Sequence, residues 1–150
     1  MKASIGIVKA VIVVIMALMG AQAQADIIKH VVRLGAFQLS SSNSHLPLTA
    51  SGASVVTFTG SGKFTIWYSA ECVLAGRYVN VDIHVDGIPL GPTGANGQDS
   101  YCDGNTGGAM HTVTGRTHSL TAGTHSVEII AHTDFGAVAF LSDSSLLIGK

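Results

Sequence analysis

From residue 26 onward apolar and polar side chains alternate with a period of two, and nowhere do apolar residues recur at helical spacing over three turns. This pattern predicts an all-β domain. The cleanest run is 78–85, which puts Val79, Val81, Ile83 and Val85 on one face and Tyr78, Asn80, Asp82 and His84 on the other. One face is core and the other is wet. Residues 55–59 and 63–68 read as two strands joined by Gly60-Ser61-Gly62, a glycine-rich segment able to supply the positive φ of a tight hairpin. Phe64, Ile66 and Tyr68 then face the core and Trp67 points away from it. An earlier strand covers 28–39 and ends in the polar run that starts at Ser40.

After residue 110 the alternation resumes over 110–114, 117–120, 126–131, 137–141 and 146–148, with Thr121-Ala122-Gly123-Thr124 expected as a hairpin turn. About eight short strands, with turn signals roughly every 8 to 12 residues, favour an antiparallel β-sandwich of jelly-roll type over a barrel or a propeller. One stretch breaks the rhythm: 87–108 carries seven glycines and two prolines and reads as a long loop. Long loops carried on a rigid scaffold are common recognition surfaces, so Asp99, Tyr101, Asp103 and Asn105 are candidate binding residues. Trp67 and Tyr78 join them as aromatic faces able to stack on sugars. The same apolar faces also suit an oligomer contact.

The first 25 residues follow a different rule. Lys2 and Lys9 precede or open an apolar run over 10–19, which leads into Gly20-Ala21-Gln22-Ala23-Gln24-Ala25. This is the layout of a secretory signal peptide, cut after Ala25 so that the exported chain begins at Asp26. About ten apolar residues make roughly 15 Å of helix, half the thickness of a bilayer core. The expectation is therefore one domain, 26–150, secreted or periplasmic and free of the membrane once the leader is cut. Losing Lys2 and Lys9 leaves six Lys and Arg against nine Asp and Glu. So few scattered cations do not make a nucleic-acid footprint. A hydrophobic content of 47% likewise excludes a disordered chain.

Both cysteines, Cys72 and Cys102, lie in the exported part, and an even count in an oxidising compartment predicts one disulfide. Closing a loop of about 30 residues contributes on the order of 3 kcal/mol in the chain-entropy picture. It would staple the 87–108 loop to the end of the Trp67 strand.

Chemistry is harder to find. No C-x-x-C, H-E-x-x-H, G-x-S-x-G or EF-hand pattern is present. The expectation is a protein with no catalytic residues and no cofactor. Histidine is the enriched type, with seven in the exported chain. If Thr121 pairs with Thr124, His118 and His125 share the apolar face with Ile129 and act as packing residues. His132 then lies on the opposite face with Glu128, and His84 sits between Asp82 and Asp86. His84, Glu128 and His132 are accordingly the candidate metal ligands.

The run Leu120-Thr121-Ala122-Gly123-Thr124-His125-Ser126-Val127-Glu128-Ile129, followed by Phe140 and by Ser144-Ser145-Leu146-Leu147-Ile148, resembles the closing strands of small secreted bacterial and phage β-sandwich modules. These include accessory, tail-fibre and carbohydrate-binding jelly rolls. The resemblance implies binding of an extracellular glycan or protein through a stapled loop, or self-assembly as a homo-oligomer, rather than catalysis.

Overall fold

The computed structural model describes residues 26–39, 44–73, 79–91, 99–102, 107–133 and 139–150, with the backbone alone described at 99–102, 107, 108 and 139. Residues 1–25, read from the sequence as a leader, lie outside the described residues. Among the described residues eleven strands run in chain order: β1 (Ile27–Arg33), β2 (Phe37–Leu39), β3 (Ser44–His45), β4 (Val55–Gly62), β5 (Thr65–Val73), β6 (Val79–Val85), β7 (Ile88–Pro89), β8 (Asp99–Cys102), β9 (Gly107–Arg116), β10 (Leu120–Thr133) and β11 (Ala139–Gly149). They form two antiparallel sheets. In sheet I the order is β1, β11, β5, β9, with β2 also on β11. In sheet II it is β3, β10, β6, β7, with β4 also on β10 and β8 also on β6.

The surplus over eight strands comes from interrupted edges. β1 and β2 lie end to end along one side of β11, β3 and β4 along one side of β10, and β7 and β8 along one side of β6. Three of the four sheet edges are therefore broken into short pieces, which limits the free backbone a neighbouring chain could pair with. Counted as whole strands, sheet I runs first, eighth, third, sixth, and sheet II runs second, seventh, fourth, fifth.

The period of two is kept where the strands are central. β5 alternates buried and half-buried side chains along its whole length, and β6 buries Val79, Val81, Ile83 and Val85. Phe64, Ile66 and Tyr68 pack inward against Val127, Ile129, Leu146 and Ile148 in one core between the sheets. Burial pushes the Tyr68 phenol above its usual range, opposed by a hydrogen bond with the Ser144 side chain.

Three expectations about connections are corrected. Gly60-Ser61-Gly62 is not a hairpin turn; it is the end of β4, and the chain then crosses from sheet II to β5 in sheet I. Thr121 to Thr124 is not a turn either, because β10 runs unbroken from Leu120 and pairs Gly123 with Gly60 and His125 with Phe58. The two glycine-rich segments thus pair with each other. Gly60 is glycine for a packing reason: a Cβ there would stand 2.6 Å from Cζ of Phe64, whose ring meets Phe58 edge to face at 4.9 Å. The third correction concerns 87–108, which is not loop throughout, since β7, β8 and the start of β9 fall within it. Asp86 (φ 51°) and Gly87 (φ 77°) form a tight turn that starts it, as Asp-Gly often does.

Two sheet-to-sheet crossings, β4 to β5 and β9 to β10, meet at one end of the sandwich. There Thr117 N–H donates to Phe64 O at 2.9 Å, and Phe64 N–H donates to Thr117 Oγ1 at 2.9 Å. Thr117 is buried, and this reciprocal pair satisfies both of its polar partners away from water.

Candidate functional site

The outer face of sheet I is built by four strands in register. Trp67 on β5 lies between Leu147 on β11 and Thr114 on β9, and His30 on β1 extends that row. The next row carries Val32, Ser145, Ser69 and Thr112. Hydrogen bonds tie it together, with the Ser69 and Thr112 hydroxyls 2.7 Å apart and His30 Nε2 3.0 Å from Ser145 Oγ. Strand alternation turns Trp67 outward, because Ile66 and Tyr68 on either side are buried. Gly149 supplies the floor under its ring: a Cβ there would lie 3.0 Å from Trp67 Cζ3 and 3.3 Å from Cη2. The result is a half-buried indole resting on backbone, with Leu147 on one side and Thr114 on the other, and with Met110 exposed farther along β9.

The outer face of sheet II differs in chemistry. It gathers His45 from β3, Glu128 and His132 from β10, and Asp82 and His84 from β6. Glu128 stands opposite His84, and His45 Nδ1 donates to Glu128 Oε2 at 3.1 Å. His132 Nε2 lies 3.6 Å from Asp82 Oδ2. Of the candidate metal ligands, His84 and Glu128 are therefore neighbours. His132 is four residues along β10 from Glu128, roughly 13 Å at strand rise. Among the described residues no three histidine, cysteine, aspartate or glutamate side chains converge to hold a metal ion. His45, in a short polar segment with no motif, is the member of this stripe that pattern alone does not reveal.

A third constellation brings together His, Asp and Ser without the geometry for catalysis. His125 is buried; its Nδ1 donates to Asp86 Oδ2 at 2.7 Å and its Nε2 donates to the Thr121 carbonyl at 3.0 Å. Neither partner can donate, so the site favours the doubly protonated, cationic imidazole. Ser126 gives its N–H (2.8 Å) and hydroxyl (3.3 Å) to Asp86 Oδ1 and makes no bond to the imidazole. A hydrolytic triad needs its base free to take the serine proton, and here that base is sealed on both sides. The Asp86 hydrogen bond, followed by the Thr121 carbonyl, raises the His125 pKa against the opposing effect of burial. The Ser126 N–H, then His125, lowers that of Asp86. This group clamps the β6–β7 turn onto β10. His118, expected to share its apolar face, is instead exposed beyond the end of β9.

Of the loop candidates, Tyr78, Asp103 and Asn105 lie outside the described residues. Asp99, Tyr101 and Cys102 belong to β8 by their backbone, with Cys102 opposite Val79. Cys72 is fully buried on β5.

No protein-family model matches the chain, and no curated protein does. Among solved structures it is similar to the EclA C-terminal domain, a sugar-binding protein, with 12% identity, TM-score 0.49, and 75% of this chain and 77% of that one covered. It is similar to the CBM36-1 domain of a multidomain xylanase from the hindgut metagenome of Trinervitermes trinervoides, with 14% identity, TM-score 0.47 and coverage of 79% and 96%. It is also similar to Eiger TNF from S. frugiperda, with 12% identity, TM-score 0.46 and coverage of 81% and 89%.

Proposed function

We propose that the chain is an exported, non-catalytic β-sandwich module of jelly-roll type that binds an extracellular glycan on the outer face of sheet I. The observation that carries this reading is Trp67, seated on Gly149 on a four-strand face where Leu147 and Thr114 flank it and Ser69, Thr112 and Ser145 form the next row. The axial C–H groups of a pyranose form an apolar, weakly positive surface that suits the negative face of an indole. Ser69, Thr112, Thr114 and Ser145 offer donors and acceptors to the sugar hydroxyls around it. The strand order supports the jelly-roll assignment. A disulfide between Cys72 and Cys102 belongs to the same reading and would tie sheet I to the 87–108 segment.

The test uses the protein's one tryptophan as its own reporter. Soluble oligosaccharides should shift or quench Trp67 emission in a saturable manner, and Trp67→Ala should abolish retention on the same glycan while leaving the melting temperature unchanged. Glycan retention that survives Trp67→Ala would remove the reading. The alternative of self-assembly is favoured by one feature, the edge strand β1, where Ile27 (64%), Val32 (49%) and the following Leu34 (75%) are exposed. Native mass spectrometry decides it, since a fixed oligomer would support assembly and a monomer would exclude it.

A further inference from the structure

The ladder between β5 and β9 leads from the aromatic platform to a cluster of cations. Trp67 faces Thr114, and Thr65 faces Arg116. The reciprocal hydrogen bonds between Phe64 and Thr117 join the two segments just past the strand ends, where both cross between the sheets. Burial alternates along β9, with Gly115 and Thr117 buried and Thr114 and Arg116 exposed, so Arg116 shares the side of the ladder that presents Trp67. Lys63 and His118 are exposed beside that crossing, each one residue beyond the Phe64–Thr117 pair.

Neither Lys63 nor Arg116 forms an ion pair among the described residues. On this face the acid of β5, Glu71, is four residues from Trp67 on the opposite side from Lys63, roughly 13 Å at strand rise. Asp26, whose carbonyl accepts from Lys150 N–H at 3.0 Å beside Gly149, precedes β1 and lies three strands from Arg116. The exported chain carries more acids than cations, so two of its six Lys and Arg, gathered without counter-charge, form a local field opposite in sign to the whole. Arg116 is the diagonal neighbour of Trp67, about 7–8 Å away by Cα, within reach of a long side chain.

We propose that this ladder recognises an acidic glycan: a pyranose stacks on Trp67 while its anionic substituent, a carboxylate or a sulfate, is held by Arg116 with Lys63 and His118 behind it. The inference rests on the glycan reading above and narrows it to a substrate class. A planar guanidinium matches two oxygens of either anion at once, which gives orientation as well as attraction.

The full chain as the cell processes it is titrated at about 0.15 M salt, where longer-range attraction is screened beyond about 8 Å. Four polymers serve as probes: neutral dextran, polygalacturonate, dextran sulfate and poly-glutamate. The readouts are Trp67 emission and mobility in affinity gels. Polygalacturonate or dextran sulfate should act at a concentration at least tenfold below dextran, and which of the two does so identifies the anion. The double variant Lys63→Gln/Arg116→Gln should lose that tenfold advantage and keep its melting temperature, both positions being exposed. Equal action of dextran and the acidic polymers, unmoved by the double variant, would overturn this proposal and leave the glycan reading standing. Poly-glutamate acting as strongly as the acidic glycans would also overturn it, because the cations would then attract any polyanion. Silence with all four polymers would overturn both.

Discussion

The two outer faces of the sandwich come from the same kind of alternating strand, yet they carry different chemistry. On sheet II, imidazoles and carboxylates line up, with His45 hydrogen-bonded to Glu128 and His132 Nε2 3.6 Å from Asp82 Oδ2, beyond hydrogen-bond distance. On sheet I, an indole stands beside hydroxyls that hydrogen-bond one another, together with cations that form no ion pair among the described residues. Imidazoles and carboxylates offer charge without a stacking surface, whereas an outward indole edged by hydroxyls offers a sugar both a face to stack on and polar groups at its rim. The sharpest way to break this contrast is to remove one aromatic and one imidazole. Trp67→Ala should weaken glycan binding by more than tenfold, in line with the cost of deleting a central aromatic anchor, about 2 kcal/mol or more. His84→Ala should leave binding within about twofold of the parent, a change below roughly 0.5 kcal/mol. Isothermal titration of both variants with one glycan checks the pair, and the reverse order of effects would transfer the site to sheet II.

Much of this contrast is readable from the sequence, and the reason is periodicity. Trp67 must point outward because Ile66 and Tyr68 point inward, and Val79 to Val85 identify a half-wet strand without any structure. Connections are less legible, because glycine has two uses that look alike in a sequence. Gly60 and Gly123 read as turn residues, but Gly60 is small to admit the Phe64 ring and the two meet as cross-strand partners. Asp86-Gly87, a strong local turn signal, is absorbed into an apparent loop because Ile88 and Pro89 make only a two-residue strand after it. The histidine stripe of sheet II depends on β3, β6 and β10 coming together over 80 residues of sequence, and no local pattern encodes that.

The buried histidine gives a second way to sharpen the comparison, through stability instead of binding. Because the His125 pKa is raised above its usual 6.5, its contribution is complete below about pH 6.5 and is lost as pH rises through the raised value. Asp86, lowered below 3.8, contributes above about pH 3.8 and loses that contribution as pH falls through its lowered value. The clamp is therefore strongest in mildly acidic solution. Thermal melts should show a maximum there and a fall toward alkaline pH, with Asp86→Asn lower throughout and flatter. Binding of a neutral glycan at Trp67 should not follow that profile. A binding curve that tracked the melting curve would mean that the two regions are coupled.

A smaller effect tests the floor of the platform. In Gly149→Ala the new methyl would stand 3.0 Å from Trp67 Cζ3, so the ring must tilt rather than the strand move. Displacing a side chain from its rotamer costs about 0.5–1.5 kcal/mol, which corresponds to a loss of affinity on the order of fivefold. Fluorescence anisotropy of Trp67 should fall in the same variant as the ring loses its seat. Unchanged anisotropy with unchanged affinity would show that the indole is held by Leu147 and Thr114 alone.

The smallest effect belongs to the paired face. His45 is more than half exposed and Glu128 about one quarter, with side-chain exposures of 56% and 26%, so their ion pair competes with water at both ends. Exposed pairs of this kind contribute about 0.2–1 kcal/mol. Glu128→Gln keeps the shape and one acceptor for His45 while removing the charge, so the expected loss is at the lower end of that range. Urea unfolding should place the midpoint of the variant close to the parent with an unchanged slope. His84, opposite Glu128, tightens the test through a second variant. If Glu128→Gln costs the same in the parent and in a His84→Ala background, its hydrogen bond to His45 is the whole of its contribution, whereas a smaller cost in that background would show that Glu128 also serves His84.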